Sequence, residues 1–191
     1  MMGQLNDGQK ECLESRMRGG ESQTIKGKVS IVLITDAYNR KDQNAWSKLV
    51  KRHLEKIDRS DPDICFTYAL HLAKKGTSRA REVIKWADTA LENKHRWSGN
   101  TYKSRLFNLY KLKAYSASKL WEAAEKELLS AEVKADPAKK SEVQAKAERY
   151  RGQAKDFARE WLDYARASGQ STSQALQLCV SAAGEGSACE G

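Results

Sequence analysis

The chain has 191 residues, of which 31% are charged, and its formal net charge at pH 7 is +9. A chain of this length can bury a sizeable core in one domain or one short helical array. Its longest apolar run, Val29 to Ile34, is far shorter than the roughly 18 residues of a transmembrane helix, so no membrane-spanning segment is predicted. Two prolines and five tryptophans in so charged a chain favour a soluble helical protein.

The first 26 residues are polar, and Gly19-Gly20 would end any helix that begins near Gln9. We interpret residues 1–26 as a flexible N-terminal arm. The doubled methionine at the start is typical of a start residue placed before a sequence that has lost its signal peptide. This interpretation predicts a periplasmic or cell-envelope protein, and the alternative is a cytoplasmic one.

A helical domain is predicted over residues 27–168, because three segments repeat one apolar triplet with helical spacing. The triplets are Val50, Leu54, Ile57; Val83, Ala87, Ala90; and Ala124, Leu128, Ala131. Each follows a second helical stretch with an apolar or aromatic residue, at Tyr38, Leu72 or Tyr115. The predicted hairpins span about residues 28–59, 62–93 and 100–135.

The β-branched run at residues 29–34 also suits a short strand. No second strand is evident in the sequence to pair with it, so the helix is preferred. Asp61-Pro62 marks a helix start, since Asp caps a helix and Pro is tolerated at its first position, and Asp136-Pro137 ends the third hairpin. A long capping helix follows over 138–167, and residues 169–191 form a C-terminal tail.

The hairpins resemble tetratricopeptide repeats, which pair two antiparallel helices over about 34 residues. The matching first-helix residues are Ile34, Thr35 and Tyr38; Tyr68, Ala69 and Leu72; and Leu112 and Tyr115. The resemblance covers about residues 28–137 and implies an all-α, right-handed stack of antiparallel helical hairpins, an α-solenoid closed by the capping helix. In such a stack the first helices line a groove that holds an extended peptide or a partner helix. Register then implies these exposed groove positions: Asp36, Asn39, Arg40, Lys74, Lys113 and Ser116.

Catalytic signals are weak. Tyr115 and Lys119 have the Tyr-x-x-x-Lys spacing that resembles short-chain dehydrogenases, but no glycine-rich turn follows the run at 29–34 to admit a dinucleotide. The chain also lacks the residue spacing of a zinc site, and His53 is predicted to be solvated on a charged helix. Glu122, Glu125 and Glu127 are interpreted as one solvated helix face. We expect no enzyme activity, no cofactor and no metal.

Four tryptophans, at 46, 86, 121 and 161, recur at intervals near the repeat length and are predicted to pack in the core. Trp97, beside Lys94, His95 and Arg96, is the candidate for an exposed aromatic residue. The positive charge favours acidic partners. It is interspersed with acidic residues and comes without a recognition motif, however, so nucleic acid is only the second candidate.

The four cysteines are Cys12, Cys65, Cys179 and Cys189. Cys179 and Cys189 flank a short loop that a disulfide could close, and the alternative is a frayed tail with two thiols. Cys65 lies in an apolar helical stripe and is expected to be a buried thiol. Oxidised cysteines would place the protein in the envelope, and reduced ones in the cytoplasm.

Together these features predict a non-enzymatic scaffold that binds a peptide or helix of a protein partner in a multiprotein assembly, with the bacterial envelope as its expected location. The alternative is a basic adaptor that binds nucleic acid or another polyanion.

Overall fold

The computed structural model describes residues 4–97, 102–184 and 189. Within these ranges the regular secondary structure is entirely helical, which confirms the predicted all-α class. The chain divides into two compact units, an N-terminal unit of residues 1–65 and a C-terminal unit of residues 66–191. None of the described helices combines the length and the apolar character that crossing a bilayer demands.

The N-terminal unit begins with a helix inside the stretch predicted to be an arm. Helix α1 spans Asp7–Arg18, where Asn6 and Gln9 form a reciprocal capping box with N···O distances of 2.8 and 3.0 Å. Met17 is 5% exposed and packs in one cluster with Val29 and Leu33. Residues 1–26 therefore contain a packed helix, because the cap and one buried methionine stabilise a segment whose composition is otherwise polar.

The next two helices form a pair. Helix α2 spans Gln23–Asn39 and helix α3 spans Gln43–Lys56, and the two pack against each other. Asp42 begins α3 by accepting the backbone N–H of Ala45 at 2.9 Å. The preference for helix over strand at residues 29–34 is confirmed.

The first predicted triplet behaves as core. Val50 and Leu54 are 0% and 1% exposed, as expected for the inward face of α3. Tyr38 differs, because 60% of it is exposed. Helix α2 therefore carries a large aromatic side chain on its exposed face as well as apolar residues on its buried face.

Helix α4 spans Pro62–Ala73 and crosses the boundary between the two units. The other helices of the C-terminal unit are α5 (Ala80–Glu92), α6 (Tyr102–Leu128), α7 (Ala131–Ala135), α8 (Pro137–Ser168) and α9 (Ser173–Ala183). Short 3₁₀ turns precede and follow α5, at Thr77–Arg79 and Lys94–Arg96. The most extensive helix packing in the described chain is between α6 and α8, with α5 against α6 and α9 against α8.

Helix α6 replaces the third predicted hairpin, over 100–135, with one continuous helix. Helix α6 contains no glycine or proline that would end it midway, where a hairpin requires a turn between its two helices. Ala117 packs in a cluster with Ala154, and Ala124 packs in a cluster with Ala147. Both halves of α6 therefore contact α8. The repeat pattern predicts that the partner of the first half is a second helix within residues 100–135, but the partner in the structure is α8.

Helix α8 covers the residues for which a capping helix is predicted, 138–167. Asp136 accepts the N–H groups of Ala138 and Lys139 at 3.0 and 3.1 Å, and Gly169, with φ of 67°, ends the helix. The following tail, 169–191, contains α9. The tail thus contributes a further packed helix to the unit.

Candidate functional site

A groove of about 540 Å³ lies between α6 and α9 in the C-terminal unit, and we call it the α6–α9 groove. Its lining residues are Tyr115, Ser118, Trp121, Glu122 and Glu125 on α6, and Gln174, Gln177, Leu178 and Ser181 on α9. Aromatic and aliphatic side chains, carboxylates, amides and hydroxyls thus converge in one place. This combination of apolar surface with a few polar groups is typical of binding sites.

The apolar part of the groove is supported from beneath. Tyr115 is 36% exposed, and its ring centroid lies 5.7 Å from that of Trp161, which is completely buried. Lys111 Nζ lies 5.7 Å from the Tyr115 ring and donates a hydrogen bond to Gln174 Oε1 at 3.0 Å. This lysine therefore ties the two walls of the groove together.

Two carboxylates in the groove are held by neighbours on α6. Glu125 accepts the indole N–H of Trp121 at 2.9 Å, and Glu122 accepts the hydroxyl of Ser118 at 3.0 Å. Each bond joins residues four apart, which share a helix face. Each bond engages one oxygen of its carboxylate and orients it along the groove face of α6.

Helix α9 is seated by buried small residues and a disulfide. Ala175 and Cys179 are 0% exposed, and both lie in one apolar cluster with Trp161. The sulfur atoms of Cys179 and Cys189 are 2.07 Å apart, the separation of a disulfide, which favours the bridged alternative over two thiols. The groove wall is therefore covalently tied to residue 189.

Arg151 secures the far end of α9. Its Nε donates to the carbonyl oxygen of Ala182 at 2.8 Å, and its guanidinium carbon lies 5.7 Å from the Trp121 ring. One side chain from α8 thus contacts both walls of the groove. Trp121 itself is half-buried.

Sequence reasoning missed this groove because the repeat register selects other positions on α6. Lys113 and Ser116, expected to be exposed, are 6% and 5% exposed. The missed signal is the 3-4-3 spacing of four α6 residues, Tyr115, Ser118, Glu122 and Glu125, which lines up one face of a helix. Glu122 and Glu125 are exposed, as predicted, but the sequence does not place α9 opposite them.

Lys113 has a structural environment. Its Nζ lies 2.8 Å from Asp88 Oδ1 and 2.8 Å from Glu160 Oε2, and 4.2 Å from the centroid of the Phe157 ring. Burial lowers the pKa of Lys113, but hydrogen bonds and charges from the two carboxylates outweigh it and raise the pKa above its ordinary value of 10.5. This lysine joins α5, α6 and α8, so it is not available as an exposed groove cation.

A second cavity, of about 670 Å³, adjoins Lys113. The rings of Tyr110 and Tyr164 line it with centroids 5.1 Å apart, and burial raises the pKa of both phenols above 10.0. Asp163 also lines it. Its polar groups therefore centre on the ion cluster that holds α5, α6 and α8.

Of the three groove residues predicted in the N-terminal unit, the structure exposes two and buries the third. Asn39 and Arg40 are exposed, whereas Asp36 is 5% exposed and accepts hydrogen bonds from Leu5 N and Arg40 Nε, both at 2.8 Å. Burial raises the pKa of Asp36, and these two donors more than reverse it, so the pKa lies below 3.8. Asp36 thus anchors the start of the chain to α2. Lys74, in the C-terminal unit, is exposed as predicted.

His53 corrects another expectation, since it is 1% exposed rather than solvated. Its Nδ1 lies 3.1 Å from Ser30 Oγ, and its Nε2 lies 3.4 Å from Asp61 Oδ2. Asp61 Oδ1 in turn accepts the N–H of Ile64 at 3.1 Å at the start of α4. Contacts from a serine through a histidine to an aspartate also occur in catalytic triads. Ser30 is only 2% exposed, however, so a substrate does not reach its hydroxyl.

The predictions for the tryptophans are confirmed at three positions and wrong at Trp97. Core packing is confirmed for Trp46, Trp86 and Trp161, which are 3%, 8% and 0% exposed. Trp97, expected to be exposed, is half-buried, and the Arg105 guanidinium carbon lies 5.6 Å from its ring. A neighbouring cation therefore lies within cation–π distance of this half-buried ring. Cys65 is buried, as predicted.

Among residues 4–97, 102–184 and 189, no group of three His, Cys, Asp or Glu side chains is arranged to hold a metal ion. No protein-family model matches the chain, and comparisons with curated proteins and with solved structures find no match either. The function therefore has to be argued from the site itself.

Proposed function

We propose that this protein is a non-enzymatic interaction module whose α6–α9 groove binds a segment of a partner protein. The observation that carries the proposal is the arrangement of Tyr115 and Trp121 beside two oriented carboxylates, Glu122 and Glu125, in one groove. A volume of about 540 Å³ has room for a few side chains of a bound segment.

The chemistry of the lining defines the partner. The two aromatic rings suit an apolar or aromatic side chain, and the two carboxylates suit a lysine or arginine close to it. Gln174 carries both a donor and an acceptor, as does Gln177, so each amide can pair with the backbone of an extended segment. The partner is accordingly a peptide that combines an apolar anchor with a basic residue.

The resemblance to tetratricopeptide repeats belongs to the same proposal. Helices close in sequence pack as pairs in each unit, α2 with α3 and α6 with α8, and a right-handed stack of hairpins would extend that arrangement. The disulfide-distance pair Cys179–Cys189 supports a location outside the cytoplasm, where such bonds persist. A scaffold role in a bacterial envelope assembly is consistent with both.

The test is selection of a displayed library of random peptides on the purified protein. Gln177→Arg places a bulky cation in the groove from an exposed position, so selected peptides should lose about tenfold or more in affinity for this variant. Gln144→Arg, at an exposed position on α8, adds the same charge elsewhere and should leave their affinity unchanged. Peptides that bind both variants as well as the original protein would overturn the groove assignment.

Selectivity for basic peptides has its own control. Glu125→Gln keeps the shape of the groove and removes one charge, and it should weaken peptides that carry lysine or arginine more than their alanine-substituted forms. Glu142→Gln removes an exposed carboxylate of α8 and should affect neither. Equal losses for both peptide forms would refute the charge preference while retaining the groove.

A further inference from the structure

A third cavity of the C-terminal unit differs in charge from the groove. It has a volume of about 260 Å³ and lies where the turn at Thr77–Arg79 and α5 meet α6 and α8. The polar side chains that line it are Thr77, Ser78, Arg81, Lys146 and Tyr150. Because the described lining includes two cations and no Asp or Glu, we call it the basic cleft.

Arg81 is oriented in this cleft by a neutral partner. Its Nε donates to the Tyr150 hydroxyl at 2.9 Å, Nη2 donates to the same oxygen, and the guanidinium carbon lies 5.7 Å from the Tyr150 ring. Tyr150 is 4% exposed, so its ring and hydroxyl form a fixed platform. A guanidinium has five N–H donors in one plane, and this contact uses one edge without neutralising the charge.

Lys146 brings the second cation from α8. Its Nζ lies 2.6 Å from Glu127 Oε2, which holds the side chain in place. An ammonium has three donors, so one ion pair leaves capacity for a second acceptor. Thr77 and Ser78 also line the cleft. The Ser78 hydroxyl donates to the carbonyl oxygen of Lys75 at 3.5 Å, so the Thr77 hydroxyl is the one that can donate to the same ligand.

We propose that the basic cleft binds a phosphate group, either as free phosphate or on a small phosphomonoester. The Arg81 guanidinium supplies the positive charge that a phosphate requires, and planar guanidinium edges pair with phosphate particularly well. Glu127 compensates the charge of Lys146, which therefore contributes further N–H donors to the acceptor oxygens of the phosphate. Leu120 and Ala123 add an apolar surface against which a small organic substituent fits. The volume limits the ligand to a small one.

The direct test is calorimetric titration of the full chain with inorganic phosphate and, separately, with glycerol 3-phosphate at constant ionic strength. Binding of either is expected, and tighter binding of the ester would identify the phosphomonoester as the preferred source. Arg81→Gln should weaken binding about tenfold or more, because it removes a charged hydrogen-bond donor. No heat or shift in melting temperature with either probe would overturn the proposal.

Two further variants separate a site from general charge attraction. Lys155→Gln removes one exposed cation of α8 outside the cleft and should not change phosphate affinity, so a loss equal to that of Arg81→Gln would also overturn the proposal. Tyr150→Phe keeps the ring and removes the hydroxyl that positions Arg81. It should weaken phosphate binding about threefold while peptides selected on the α6–α9 groove bind unchanged.

Discussion

Two buried polar clusters among the described residues, one in each unit, handle charge in opposite ways. In the C-terminal unit Lys113 is a buried cation between Asp88 and Glu160, whose side chains are 40% and 46% exposed. In the N-terminal unit Ser30, His53 and Asp61 are all buried. The first cluster leaves its carboxylates partly exposed to water and buries the cation, whereas the second buries all three of its polar side chains.

This difference determines which substitution should be most harmful in each cluster. Removing one partner of a buried ion is costly mainly when it leaves the other charge buried and uncompensated. In the C-terminal unit that residual charge is Lys113, and in the N-terminal unit the residual polar atoms lie on either side of His53.

The largest effect is expected for the double variant Asp88→Asn, Glu160→Gln. It leaves Lys113 buried without a counter-ion and should lower the free energy of unfolding by about 3 kcal/mol, measured by urea denaturation. Lys113→Met should cost only about 1 kcal/mol or less, since both carboxylates can be hydrated. Equal losses for the two variants would show that the lysine is not the group that depends on its partners.

A somewhat smaller loss, about 2 to 3 kcal/mol, is expected for His53→Ala, because it removes a buried ring and leaves Ser30 and Asp61 without their shared partner. Urea denaturation provides the measurement. His95→Ala, in an exposed turn of the other unit, is the matched control and should change the free energy of unfolding little. A loss as small as that of the control would contradict the burial of His53.

Ser30→Ala should cost less, about 1 kcal/mol, since it removes one neutral hydrogen bond and leaves Nδ1 of His53 unpaired. The same denaturation experiment measures it. Ser168→Ala, which removes a hydroxyl bonded to the α8 backbone carbonyl of Tyr164 and to the side-chain amide of Gln170, offers a comparison in which the groups that lose a partner are only half-buried. If Ser30→Ala costs no more than Ser168→Ala, the contact between Ser30 and His53 does not stabilise the unit.

The smallest effects should appear as pH dependence, with opposite signs in the two clusters. Burial raises the pKa of Asp61, but hydrogen bonds from His53 and Ile64 bring it below 3.8. Its contribution is therefore present above pH 3.8 and is lost as the pH falls toward the folded-state pKa. Lys113, with a pKa raised above 10.5, contributes below pH 10.5 and loses its contribution as the pH rises further.

Unfolding free energies of the original chain, Asp61→Asn and Lys113→Met across the pH range would test this pair. The difference between the original chain and Asp61→Asn should shrink in acid, and the difference for Lys113→Met should shrink in alkali as the lysine loses its proton. A Lys113→Met difference that does not shrink in alkali, or an Asp61→Asn difference that does not shrink in acid, would contradict the assignment.

Much of the secondary structure could be predicted from the residues alone. Asp61-Pro62 marks the start of α4, because a capping carboxylate and a proline at the first turn act locally. The triplet at Val50 identifies the buried face of α3, since helical periodicity reflects which side meets a core. The even number of cysteines and the short loop between Cys179 and Cys189 raised the disulfide as one of two possibilities.

The candidate groove could not be predicted in this way. The α6 spacing of Tyr115, Ser118 and Glu122 defines a helix face, but a face that contacts water and a face that lines a groove have the same sequence pattern. What distinguishes them is α9, which Cys179 and Ala182 seat against α8 through contacts distant in sequence.

The amino-acid sequence by itself determined that this protein is helical, where several helices begin and end, and which faces of them are apolar. The tertiary structure alone decided that α6 is one helix paired with α8, that Lys113 and His53 are buried, and that Glu122 and Glu125 line the α6–α9 groove while Arg81 and Lys146 line the basic cleft. The physical reason is that caps and periodicity act within about one or two turns of a helix, whereas burial, pKa and cavity shape depend on which helix lies opposite.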